Sequence, residues 1–399
     1  MSIHGAAEGK SVAFVCLGDA TDPNYSSGTP YGIRKGFLDL GCNVIDVFPV
    51  RPAIEHIFLP KRVGHRLRGV YYSGDREQLC LHAMAKTIGQ RLKGKRIDFI
   101  FASHSIPSTK LRSYAPIVLS HDQSFIERMD YFPYEQRPPA REYLMQAIDQ
   151  EREAFSNAAL CVYPSERSVR TIEEHYDIPA HKLAMIPWGG NLPFEPTAQQ
   201  AEKLIEERRR AELRILFVGV DWKRKGGDVV IEACRILHRR GVNLALTVIG
   251  SNPAIEDKPE FLTIIPYIDK NDPEQLRTYL DQLSGAHFLF VPSRAEAYGH
   301  VFCEAAALGV PSVARKVGGI ATIIVDGVTG CCLPEHASAA DFADAIQRAS
   351  ADEDVYVAMA RAARRRYEET LNWRAFCSAI IDRLEKPVAQ ESGLVAAQA

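Results

Sequence analysis

Two segments in the second half of the chain carry charged side chains where a ligand could bind. In the first, Arg224 and Lys225 follow an apolar run that ends at Gly219, and a helical pattern begins near Gly227. A turn between a parallel strand and a helix presents free backbone N–H groups, and added cations give charge-assisted hydrogen bonds to a diphosphate. Taken alone, the segment fits a phosphate site and a solvated basic turn equally well.

The second segment carries a pair of carboxylates. Glu296 lies in a turn after another apolar run, and Glu304 follows eight positions later in a helical pattern. Ionised carboxylates accept hydrogen bonds from neighbouring hydroxyls, which suits a sugar or a ribose. Gly299 lets the backbone approach a ligand closely, and His300 comes next in the chain. Two surface glutamates are the ordinary interpretation of this spacing, but the position after a strand favours binding.

Three further candidate positions lie in turns that are ordinary when taken as isolated features. His121 follows the apolar run 116–120, where a histidine is more often a satisfied strand-end residue than a catalytic one. Gly28 lies in the loop after the first apolar run, and Gly318-Gly319 form a flexible turn after the run 311–314.

The elements that must position these residues form two alternating series. Short β-branched runs, each followed by a helical pattern, are typical of parallel sheets covered on both faces. The first series has runs at 11–17, 43–48, 98–102, 116–120, 159–163 and 182–187, and the second at 213–218, 244–249, 262–266, 287–291 and 311–314. The prediction is an α/β protein with two Rossmann-like domains facing across a cleft.

The domain boundaries follow from composition and length. A chain of 399 residues exceeds the roughly 250–300 at which one core stops growing. We expect a first domain at 1–190, a partly helical linker at 191–210 and a second domain at 211–370. Residues 371–399 would add a helix that returns to the first domain and a polar tail. In the first domain, Thr29 is predicted to cap a helix that ends near Gly41.

Bulk composition narrows the function classes. The net charge of −2 gives no reason to expect nucleic acid as a partner. Nine scattered cysteines indicate reduced core thiols, and the polar N-terminus and lack of ~18-residue apolar stretches favour a cytoplasmic protein. The basic and apolar segment 58–68 could touch an anionic membrane, although a basic surface loop near the acceptor cleft is the preferred interpretation.

Together these motifs resemble the retaining GT-B glycosyltransferases of family 4. The resemblance covers nearly the whole chain, and its specificity lies in the second half. The matching pieces there are Gly219, Lys225-Gly226, Glu296 to Glu304, Ala307 to Pro311, Gly318-Gly319-Ile320 and Asp326 to Gly330. In the first half the looser matches are Gly28, His121-Asp122, Ser165 and the run 186–189.

The resemblance implies roles for these residues. Lys225 would bind the diphosphate of a nucleotide-sugar donor, Glu304 the ribose and Glu296 the transferred sugar. His121 would lie across the cleft near the reacting centre. The other donor-binding residues would be Gly28, Gly219, Arg224, Gly299, His300, Gly318 and Gly319. The implied reaction is retaining transfer of a hexose-type sugar to a glycan, lipid-linked or small-molecule acceptor, with no metal and no cofactor beyond the donor.

Departures and alternatives accompany this resemblance. Val220 stands where many members have arginine, so Arg224 is expected to supply the second cation, and Ala321-Thr322 replace a common Pro-Glu. Asp352-Glu353-Asp354 is interpreted as a solvated charge run, not a metal motif. The alternatives are a non-catalytic nucleotide-sugar-binding partner protein and a sugar-nucleotide 2-epimerase. A dinucleotide dehydrogenase ranks last, because the early glycines are too widely spaced for GxGxxG.

Overall fold

Two parallel sheets organise the computed structural model, which describes residues 7–52, 54–111, 113–131, 137–208 and 212–385. Within these ranges the first sheet has the order β2-β1-β3-β4-β5-β6 and the second β12-β11-β10-β7-β8-β9. Strands β1–β6 span Ser11–Val15, Asn43–Val47, Phe99–Ala102, Ile117–Ser120, Leu160–Tyr163 and Leu183–Met185. Strands β7–β12 span Leu213–Val218, Leu244–Ile249, Leu262–Ile265, Phe288–Val291, Ser312–Arg315 and Gly330–Leu333. The predicted α/β class with two Rossmann-like domains is confirmed.

Helices cover both faces of each sheet, which explains the continuous apolar runs. In β1, Val12 and Phe14 face one core while Ala13 and Val15 face another. Helices α1–α7 are Thr29–Asp39, Leu59–Leu67, Gln78–Leu92, Ser105–Ser108, Phe125–Tyr131, Arg141–Asn157 and Glu166–Tyr176. Helices α8–α15 are Ala198–Glu207, Gly227–Arg239, Pro273–Gly285, His300–Ala307, Ile320–Ile323, Ala339–Ser350, Glu353–Glu369 and Trp373–Glu385.

The start of α1 differs from the sequence prediction. Thr29 is the first residue of the helix, and Gly28, with φ of 80°, takes the cap position that was predicted for Thr29. The Thr29 hydroxyl instead forms a 2.9 Å hydrogen bond with His300 Nε2 of the second domain. This tertiary contact occupies the side chain that would have capped the helix. Gly41 follows the helix with φ of 79°, as predicted.

The C-terminal helix α15 packs on the first domain. A Cβ at Gly32 of α1 would lie 2.2 Å from the Trp373 ring, so the absence of a side chain there permits the close approach. One turn further along α15, the Cys377 thiol lies 3.4 Å from the carbonyl oxygen of Ile33, the residue after Gly32. The two domains are therefore joined by the linker and by this helix.

The basic segment 58–68 forms helix α2 instead of a surface loop. Leu59, Val63 and Leu67 recur at four-residue spacing and are 47%, 46% and 83% exposed. Lys61 pairs with Glu77 at 2.8 Å and so attaches the opposite side of the helix to the domain. None of the helices in the described ranges is long and apolar enough to cross a membrane.

All nine cysteines are buried and unpaired with one another. This confirms the prediction of core thiols.

Candidate active site

Seven of the eleven sequence-predicted residues, drawn from both domains, line a cleft of about 410 Å³. Its first-domain wall includes Ser103 and His121, and its second-domain wall includes Lys225, Glu296 and Gly299. The carboxyl ends of parallel strands meet at one edge of each sheet, so the loops after β3 and β4 face those after β7 and β10. The fold thus gathers side chains that are far apart in sequence.

Lys225 and Glu296 contact each other directly. The Lys225 ammonium donates a hydrogen bond to Glu296 Oε2, and the Arg224 guanidinium lies 3.9 Å from the same oxygen. Ser293 also donates to this carboxylate, at 3.2 Å. Strands β7 and β10 are neighbours in the sheet, which brings their following turns together. A diphosphate at the cations and a sugar hydroxyl at the carboxylate could therefore be held side by side.

A second ion pair fixes these two turns to each other. Arg294, after β10, donates hydrogen bonds of 2.8 and 2.7 Å to the Asp228 carboxylate at the start of α9. The hydrogen bond from Arg294 lowers the pKa of Asp228. The Arg294 amide donates to the Arg224 carbonyl at 2.7 Å, and the Arg224 side chain donates to the Ala295 carbonyl at 3.0 Å. These contacts hold in place the turn that contains the candidate phosphate-binding cations.

Glu304 lies on the buried side of α11, with 3% of the residue exposed. The Tyr279 hydroxyl of α10 donates to its Oε2 at 2.5 Å, and the Lys270 ammonium lies 3.1 Å from the same oxygen. Glu304, Lys270 and His300 line a second groove of about 420 Å³. His300 lines both cavities, so the groove adjoins the cleft.

His121 is held by the residues that follow it. Its Nδ1 lies 2.7 Å from Asp122 Oδ1 and 3.0 Å from the Gln123 carbonyl oxygen. Because both partners accept, Nδ1 carries a proton. The His104 ring packs edge-on against His121, with centroids 4.6 Å apart. Burial acts to lower the pKa of His121, but the Asp122 carboxylate outweighs it and raises the pKa above its ordinary value.

Gly299 and His300 form the start of α11. Gly299 has φ of 103°, a conformation that residues with a Cβ rarely adopt. His300 Nδ1 lies 2.8 Å from the Gly189 carbonyl oxygen, so this nitrogen is protonated and Nε2 accepts from the Thr29 hydroxyl. Burial lowers the pKa of His300 and keeps the ring neutral. His300 thus bridges the two domains, and Gly28 lies beside it in the second groove.

The remaining predicted glycines differ in how close they lie to the cleft. Gly219 lines the cleft, next to Lys225. A Cβ at Gly318 would lie 1.6 Å from the Glu296 carbonyl oxygen, and Gly319 packs against the same turn. In the described structure Gly318 and Gly319 therefore pack against the turn that contains Glu296 and do not line the cleft.

Comparisons with known proteins agree with this geometry. Residues 199–366 match the model of the group 1 glycosyl transferases. The chain is 28% identical to the D-inositol 3-phosphate glycosyltransferase of Corynebacterium aurimucosum over 53% of each chain. It is 25% identical to the Paenarthrobacter aurescens protein of the same name over 85% of this chain and 86% of that one. The chain thus spans about half the length of the first relative and most of the second.

The similarity in three dimensions extends over nearly the whole chain. The sucrose-phosphate synthase of Thermosynechococcus elongatus superposes with a TM-score of 0.61 at 20% identity, covering 94% of this chain and 98% of that one. The chain therefore has the fold of this sucrose-phosphate synthase, and residues 199–366 resemble the group 1 glycosyl transferases. Both likenesses support the family expectation drawn from the motifs.

Three contacts at this site were not predicted from the sequence. Lys270 and Tyr279 touch Glu304, and Thr29 touches His300. Tyr279 has the pattern of an ordinary core residue of α10, and Lys270 precedes that helix in a polar stretch. Only the packing of α10, and of the segment just before it, beside α11 brings them to the carboxylate, so no local signal could have found them.

The His121–Asp122 pair gives a test by titration. Asp122→Asn removes the anion that stabilises the protonated ring, so we expect the pKa of His121 to fall below its wild-type value. A raised folded-state pKa stabilises the protein below the unfolded value of about 6.5, and this is lost as the pH rises through the folded value. Imidazole NMR titration measures the shift, with exposed Asp149→Asn as control. Identical His121 midpoints in wild type and Asp122→Asn would refute the pairing.

Proposed function

We propose that the protein is a retaining, metal-independent glycosyltransferase that moves a hexose-type sugar from a nucleoside-diphosphate sugar to a glycan, lipid-linked or small-molecule acceptor. The observation that carries the proposal is the meeting of Lys225, Arg224 and Glu296 in one cleft, with Glu304 in the adjoining groove. In the proposal the two cations hold the diphosphate, Glu296 the sugar hydroxyls and Glu304 the ribose.

In the proposed reaction the two cations stabilise the leaving group. As the bond from the sugar's anomeric carbon to the diphosphate breaks, the electron pair leaves with the diphosphate. Lys225, Arg224 and the amides at the start of α11 stabilise that charge. Two side-chain cations can serve in place of a divalent ion. The acidic run that begins at Asp352 has another use, since Asp352 accepts hydrogen bonds from the first amides of α14.

Retention follows from attack on the face from which the diphosphate leaves. The acceptor oxygen bonds to the anomeric carbon, and its proton passes to the departing phosphate oxygen, so no enzyme nucleophile is consumed. His121 lies on the opposite wall and would position the sugar. Closure of the two domains limits loss of donor to water.

Slow hydrolysis of the donor, with water as acceptor, tests the reaction without a known acceptor. The protein is incubated in EDTA with α-linked glucose, galactose and mannose donors of the nucleoside diphosphate that binds best. Proton NMR should show the α-sugar released first, before mutarotation. Initial β-sugar would contradict retention, and activity that returns only with Mg²⁺ or Mn²⁺ would contradict metal independence.

The same spectra separate the alternative functions. A 2-epimerase would convert the intact donor sugar without releasing it. A non-catalytic nucleotide-sugar-binding protein would leave the donor unchanged although it binds. The presence of both Glu296 and His121 in the cleft favours catalysis over binding alone.

Helix α2 lies on the first domain, which we assign to the acceptor. Its exposed Leu59, Val63 and Leu67 accompany arginines at 62, 66 and 68. This face is proposed as an acceptor-side surface, and contact with an anionic membrane is its alternative.

A further inference from the structure

Tyr279 places a buried hydroxyl directly on the carboxylate of Glu304. The residue is 1% exposed, and its ring is enclosed in the core of the second domain. Its hydroxyl donates to Glu304 Oε2 at 2.5 Å. A buried donor on an ionised acceptor is a strong contact, and a buried ring cannot swing away as a surface side chain does.

Lys270 makes a different kind of contact with the same carboxylate. Its ammonium lies 3.1 Å from Oε2 and 3.4 Å from Oε1, but its side chain is 41% exposed. The ammonium also lies 4.2 Å from the centroid of the Tyr279 ring. Lys270 lines the groove beside Glu304, so a ligand that enters the groove meets it first. Its long side chain can move aside, whereas Tyr279 is fixed.

We propose that Tyr279 is a positioning residue that fixes the Glu304 carboxylate for the two hydroxyls of a ribose. This rests on the proposed function, because it takes Glu304 as the ribose-binding group. One lone pair of Oε2 is committed to Tyr279. Once Lys270 moves aside, Oε1 and the other lone pair of Oε2 face the groove and accept from the vicinal hydroxyls. The ordering of the carboxylate before binding makes those two hydrogen bonds selective.

The test compares how well the protein distinguishes a ribonucleotide from its deoxy analogues. Calorimetric titration without metal gives Kd for UDP, GDP and ADP, and then for the 2′-deoxy and 3′-deoxy forms of the one that binds best. In wild type we expect each deoxy form to bind roughly tenfold more weakly, the loss of one hydrogen bond to a charged group. In Tyr279→Phe that ratio should fall to about two- to threefold, because the parent nucleotide loses strength in two hydrogen bonds and each deoxy form in only one.

Tyr356→Phe is the matched control. Tyr356 is also buried in the second domain, and its hydroxyl donates at 3.1 Å to the His287 carbonyl, away from Glu304. In Tyr356→Phe each deoxy form should still bind roughly tenfold more weakly than the parent nucleotide, as in wild type. If Tyr279→Phe weakens all the nucleotides equally, Tyr279 is merely structural and the inference is overturned. If wild type binds no nucleoside diphosphate, or does not discriminate against the deoxy forms, the assignment of Glu304 fails first.

Discussion

Replacing Lys225 by alanine is expected to lower kcat/KM for sugar transfer by roughly 10²–10³-fold, the usual cost of removing one group that stabilises developing charge. In the proposed reaction Lys225 neutralises the departing diphosphate, whose charge grows as the sugar bond breaks. The lost contact is stronger in the transition state than in the ground state, so kcat should fall as well as affinity. Steady-state kinetics with the preferred donor measure both.

The neighbouring Lys223 provides the matched control for this change. It lies in the same turn and carries the same charge, but its side chain is exposed. Lys223→Ala should retain near-wild-type turnover. Loss of activity in both variants would indicate a diffuse electrostatic effect, and near-wild-type turnover in Lys225→Ala would refute the site. The melting temperature of each variant checks that the fold is intact.

Replacing Glu304 by glutamine is expected to weaken the binding of a nucleoside diphosphate by roughly 30-fold. Two hydrogen bonds from ribose hydroxyls to an ionised carboxylate would be reduced to bonds with a neutral amide. The substitution also leaves Lys270 without its anionic partner beside the groove. Glutamine keeps the volume of the side chain, so the packing of α11 against α10 is preserved. Calorimetry with the preferred nucleoside diphosphate gives the change in Kd.

The number of phosphates on the ligand separates this effect from that of Lys225. Glu304→Gln should weaken the nucleoside and the nucleoside diphosphate by similar factors, whereas Lys225→Ala should weaken only the diphosphate. Glu202→Gln, which removes an exposed partner of Arg361, is the control for losing a carboxylate outside the site. Equal behaviour of both site variants toward the nucleoside would contradict the division of roles.

The sheets could be predicted because their strands are buried on both faces. Continuous apolar runs such as Leu213–Val218 and Leu244–Ile249 have the predicted bounds, and β1 ends two residues earlier than expected, at Val15. The short distance between Lys225 and Glu296 could also be predicted, since both follow strands of one parallel sheet. Local pattern and strand-end geometry were sufficient for these features.

Contacts between separate elements could not be predicted in this way. The Thr29 side chain was expected to cap its own helix, but its hydroxyl bonds to His300 across the cleft. Tyr279 reaches Glu304 only because α10 packs beside α11. In both cases the deciding partner lies in another element, and its distance depends on tertiary packing that no window of sequence contains.

The most direct test of the central claim is thermal denaturation of the purified protein with UDP, GDP, ADP and NAD in the absence of metal. A ligand that binds only the folded state raises the melting temperature by an amount that grows with its concentration and affinity. The proposed donor site predicts a saturable rise with one nucleoside diphosphate that is lost in both Lys225→Ala and Glu304→Gln. A rise with NAD alone, or one that persists unchanged in both variants, would contradict the account.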